Sequence, residues 1–85
     1  MGGFVVKRQL ELIYPSNLIK EPIIYQMAKA IDVVFNIRRA KVNAKTGEIV
    51  LELEAADDKI LDQAVQFLTR KGVAVEPITG TTVES

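Results

Sequence analysis

The sequence predicts an α+β sandwich with its elements in the order βαββαβ. Three observations carry this reading. Stretches of alternating polarity occur near the start, in the middle and near the end of the chain. Two stretches with apolar residues at helical spacing separate them. Proline, aspartate and glycine stand where those helices should start and stop. With 85 residues the chain makes one small domain, burying roughly 60–65% of its unfolded surface. We take residues 1–85 as a single domain with its core at about 4–78, leaving 79–85, "TGTTVES", as a flexible tail without a packing pattern.

The first strand is expected at about 4–14, where Phe4, Val6, Leu10, Leu12 and Tyr14 share one parity. Arg8 falls on that apolar parity and must either mark a strand end or snorkel. Pro15 lacks an N–H and holds Tyr14 extended, so "YPSN" ends the strand. Pro22 suits the first turn of a helix. Behind it Ile23, Ile24, Met27, Ala28 and Ile31 form an apolar stripe, which predicts helix one over about 21–32. A hairpin follows, with Asn43 to Gly47 as a type I turn and Gly47 in the left-handed position. Ile49, Leu51 and Leu53 mark the core side of the return strand. Asp57 or Asp58 caps a second helix at about 57–71, whose stripe is Ile60, Leu61, Ala64, Phe67 and Leu68. Gly72 ends it as the residue past the C-cap. Val73, Val75 and Pro77 share one parity of a short last strand, and Pro77 favours a strand end or edge.

This order is that of a ferredoxin-like sandwich, with both helices on one face of a four-stranded antiparallel sheet. One stretch strains the pattern. In "VVFNIRRAKV" the bulky pair Phe35 and Ile37 lies on the opposite parity to Ala40 and Val42. A strand of period 2 cannot bury both sets on one side without a break. Either a bulge at Arg38–Arg39 restores the register, or one pair points at the open face of the sheet. In the second case Phe35 or Ile37 is expected to be buried against a second copy, making these two residues candidates for a dimer interface.

Composition excludes much chemistry. The chain has no cysteine and no histidine, so disulfides, thiolate metal sites and the usual neutral-pH proton shuttle are out. No metal or other cofactor is expected, and no enzymatic activity. No apolar run approaches the ~20 residues of a membrane span, which points to a cytoplasmic protein without membrane insertion. Residues 1–45 hold 8 Lys/Arg against 3 Asp/Glu, and residues 46–85 hold 3 against 8. If both halves interleave in one sheet, this polarity largely cancels in space. Head-to-tail attraction between subunits is the alternative.

An acylphosphatase-like hydrolase would need an arginine and a phosphate-cradling loop after the first strand, and "YPSN" supplies neither. An RNA-binding sheet would present stacking aromatics, whereas Val50, Glu52 and Glu54 stand there and repel phosphates. No nucleic-acid partner is expected. Arg38, Arg39 and Lys41 form the densest basic cluster. It reads as a solvated face paired with Glu52 or Glu54, or as a carboxylate-recognition site. Asn36 sits inside an apolar run, where its amide either satisfies local backbone groups at a bulge or meets a ligand.

"EPIIYQMAKAIDVVFNIRRAKV", the turn with Gly47 and the closing "LTRKGVAVEPI" resemble the NIL domain over about residues 4–78. That domain is found at the C-terminus of methionine-importer ATPases and in some ferredoxin-type proteins. The resemblance implies an ACT-like regulatory module that pairs through its sheet and binds methionine or a related amino acid at or near a dimer interface. It implies a transporter or ferredoxin-type partner protein. The family's ligand-contacting asparagine falls on Asn36, and Ile37 matches the next letter of its signature. Arg38 departs from the third letter, usually aliphatic, and a guanidinium there suits a carboxylate. Asn36, Ile37 and Arg38 are therefore the candidate ligand-binding residues. The chain has no G-x-x-x-x-G-K-[ST] nucleotide motif and none of the ferredoxin cysteines. It is expected to act as a free-standing regulator or as the regulatory end of a larger protein. The other reading is a dimerisation or protein–protein interaction module with no small-molecule site.

Overall fold

A computed structural model describes residues 5–78. Four strands and two helices follow the expected order: β1 (Val6–Pro15), α1 (Ile23–Ala30), β2 (Val34–Val42), β3 (Thr46–Ala55), α2 (Asp58–Arg70) and β4 (Ala74–Pro77), with a 3₁₀ turn at Ser16–Leu18. The sheet order is β2-β3-β1-β4, antiparallel throughout. The arrangement is the ferredoxin-like sandwich, with β1 and β3 at the centre and β2 and β4 at the edges. Among the described residues, no helix is long and apolar enough to cross a membrane.

The core forms where the period of each element puts apolar side chains on the side facing its neighbour. Leu10, Leu12 and Tyr14 of β1 and Leu51, Leu53 and Ala55 of β3 are buried beneath Ile23, Ile24 and Met27 of α1 and Leu61, Ala64 and Leu68 of α2. Each fully buried leucine or isoleucine contributes about 1.5–3 kcal/mol over exposure. Arg8 shares the helix-side parity of β1, and it snorkels. Its guanidinium donates to Asp62 at 2.9 Å and to Asp58 at 3.0 Å, clamping β1 to the first turns of α2.

Boundaries moved where local geometry overrode periodicity. Helix α1 is shorter than the expected 21–32, because Ile31 is already extended at φ −131° and ψ 139°. Pro22 is its N-cap rather than a first-turn residue. For α2 the alternatives resolve to Asp57, whose carboxylate accepts from the Ile60 N–H at 2.9 Å. Gly72 closes α2 with φ 101°. Its N–H donates to Thr69, and that of Val73 to Leu68, the paired bonds of a Schellman cap.

Gly47 is a correction. It is not in the left-handed region but lies within β3, paired with Val42 and Tyr14. Asn43 makes the turn instead, its side-chain oxygen accepting from the N–H groups of Lys45 (2.8 Å) and Thr46 (2.9 Å).

Candidate functional site

Strand β2 carries a break in register, the first of the two outcomes its sequence allows. Phe35 pairs with Leu53 and Ile37 with Leu51, but Arg39 pairs with Val50 and Ala40 with Ile49. Arg38 is the extra residue of a β-bulge. Directly paired residues share a face of the sheet, so Phe35, Ile37, Ala40 and Val42 all take the helix side. Phe35 is half-buried and packs against the core. Ile37, beyond the cover of the helices, remains 47% exposed. An interface made by two open sheet faces would therefore not bury either residue, contrary to the expectation raised for them. An interface that includes them runs along the β2 edge.

The bulge has a second effect. Arg38 reaches Glu52, at 3.8 Å, and Arg39 pairs with Val50, so two guanidinium groups point to the open face from consecutive positions. Asn36 pairs with Glu52 and lies on this same face, exposed. Among the described residues its side chain makes no hydrogen bond within the protein, so the bulge is not held by its amide. The three candidate ligand residues are thus split: Asn36 and Arg38 face one way, and Ile37 the other.

Two ion pairs cross the open face, Lys7 with Glu54 and Arg38 with Glu52, both at 3.8 Å. Such exposed pairs contribute about 0–1 kcal/mol each. They leave four charged groups around a neighbouring concavity of about 510 Å³, lined by Glu11, Arg39, Lys41, Glu48 and Val50. Sequence parity puts Glu11 and Glu48 off the core but cannot bring them together. That requires the β1–β3 register, in which Glu11 opposes Val50.

A different concavity, about 450 Å³, lies between the start of α1 and the β2–β3 hairpin. Tyr14, Ile23, Val42 and Ile49 are among the residues that line it, and among the described residues Glu21 is its only charged side chain. It offers an apolar wall without a cation to hold a carboxylate.

The NIL domain family model matches residues 8–77. The C-terminal domain of an ABC transporter ATP-binding protein from Enterococcus faecalis has a similar structure, at TM-score 0.72 and 18% identity, covering 87% of this chain and 86% of that one. The ternary complex of AgrE with ornithine and NAD+ contains a similar fold (TM-score 0.64, 13% identity, 86% of this chain), but the match spans only 11% of that chain. The de novo designed protein Foldit4 is matched over its full length at TM-score 0.59 and 13% identity, covering 94% of this chain. Comparison with curated protein sequences gives no match. At these identities the structural neighbours speak to the fold alone.

Proposed function

The chain belongs to the NIL domain family, and from that premise we propose that it is a non-catalytic regulatory module that senses a small amino acid, methionine or a relative. The observation that carries this reading is Asn36. The residue on which the family's ligand asparagine falls stands exposed on the open face, beside a bulge that turns Arg38 and Arg39 the same way. An amide and guanidinium groups together suit an amino acid's α-carboxylate.

In this reading the module works as a homodimer in the cytoplasm, attached to or acting on a transporter ATPase or a ferredoxin-type protein. The second copy adds along the β2 edge. Arg38, Arg39, Lys41 and the bulge blunt strand pairing over that half, so Val34 to Ile37 supply the regular stretch, with Phe35 and Ile37 on its helix side. A bound amino acid then lies close to the junction of the two copies and biases how they pair.

Calorimetric titration of the protein with methionine, homocysteine and related amino acids tests the proposal. Binding is expected, and Asn36→Ala should abolish it while sedimentation of the variant stays that of the parent. No heat with any of these amino acids, from a protein shown to be folded, rules out the ligand class.

One observation favours the second reading, a pure interaction module. Val34 and Ile37 are 65% and 47% exposed on the edge strand, and apolar side chains on an unpaired edge suit a protein partner. In that case Asn36→Ala changes assembly and nothing else.

A further inference from the structure

We propose that the concavity on the open sheet face is a zwitterion site, holding a free α-amino acid with its carboxylate toward Arg39 and Lys41 and its ammonium toward Glu11 and Glu48. This assignment rests on the sensing reading and adds the groups that would do the recognising. Asn36 lies on the same face of the same strand, on the far side of the bulge.

The charge arrangement is the first support. Arg39 and Lys41 come from β2, Glu48 from β3 and Glu11 from β1, and all four line one concavity over the apolar floor of Val50. Cross-strand pairing puts Lys41 opposite Glu48, yet among the described residues neither Arg39 nor Lys41 forms an ion pair within 4 Å. The two cations on β2 and the carboxylates on β3 and β1 thus line one concavity without closing it by an ion pair, which leaves both signs of charge free for a dipolar molecule. Elsewhere on this face Lys7 and Arg38 do reach their carboxylates.

The second support is a pair of like charges. Glu11 is directly opposite Glu76 in the β1–β4 ladder, both on the open face. Like charges in that position destabilise a sheet. An ammonium group seated by Glu11 would relieve the pair, and it is the part of the ligand that the basic wall cannot hold. Ile13 and Ala74, paired next along the same face, offer apolar contact for a side chain such as that of methionine.

The test carries the tightest-binding free L-amino acid from a calorimetric panel into two blocked forms, its N-acetyl derivative and its methyl ester. Each blocked form should bind at least tenfold more weakly than the zwitterion. Glu48→Gln and Lys41→Gln, checked for folding by circular dichroism, should each weaken the free amino acid at least tenfold. Blocked forms that bind equally well, or variants that bind like the parent, would overturn the zwitterion site alone, because a bound amino acid would still support sensing. A folded parent protein that binds no amino acid would overturn both.

Discussion

Tyr14 closes β1 with its ring in the core and is only 5% exposed. Burial disfavours the phenolate and pushes its pKa up to about 12. The ordinary value is about 10. The folded state thus retains a proton that the unfolded chain releases, so this contribution is fully present below about pH 10 and is lost as the pH rises toward 12. Urea unfolding at pH 9 and pH 11 should show a loss of about 1 kcal/mol in the parent that Tyr14→Phe lacks. Equal losses in both proteins would contradict this. Phe35 gives a second prediction. It packs against the core opposite Leu53, so Phe35→Asp should destabilise the monomer itself by about 2–4 kcal/mol in chemical unfolding. Ile37→Asp, at a site 47% exposed, should leave the fold intact and report on assembly by sedimentation.

Among the elements, the two glycines next to structural boundaries separate what can be read in a sequence from what cannot. Gly72 was legible, because a glycine directly after an amphipathic stripe is the usual end of a helix. Its φ is 101°, and a Cβ at this position would stand only 3.1 Å from Leu18 Cδ1. Gly72→Ala should therefore cost about 1–2 kcal/mol in thermal unfolding. Gly47 was misread, because "NAKTG" fits a turn as well as the first residues of a strand. Asn43 decided the matter by accepting two backbone N–H groups before the glycine is reached. At Gly47 a Cβ would meet Tyr14, Ile19 and Val42 at 3.6–3.7 Å, ordinary contact distances. Gly47→Ala should therefore be neutral or stabilising by about 0.4–1 kcal/mol, and a large loss would show that the backbone there is strained. Strand β2 falls between the two. Its parity conflict told of a bulge or an exposed pair, and only the pairing with Leu51 and Val50 selects the bulge at Arg38. Asn36 could be marked from the resemblance, but the grouping of Glu11, Glu48, Arg39 and Lys41 needed three strands in register, which no local pattern encodes.

Across the domain, the charge polarity along the chain becomes a gradient over one face. Arg38, Arg39 and Lys41 of the first half lie on the β2 edge and Lys7 on β1, and the return strand β3 from the second half sets Glu48, Glu52 and Glu54 between them. Part of the polarity is neutralised there, since Lys7 and Arg38 each meet a β3 carboxylate. The helix side buries the core and the open side carries the charged side chains of β1, β2 and β3, so under the proposed reading an amino acid is expected to bind on the open face next to β2. Titration of the isotopically labelled protein with L-methionine and related amino acids, followed by backbone amide NMR shifts, reads this directly. Shifts should concentrate at Asn36, Arg39, Lys41, Glu48 and Glu11, with the amides of α1 and α2 little moved. Shifts centred instead on Tyr14, Ile23, Val42 and Ile49, around the apolar concavity beneath the hairpin, or no shifts at all, would contradict it.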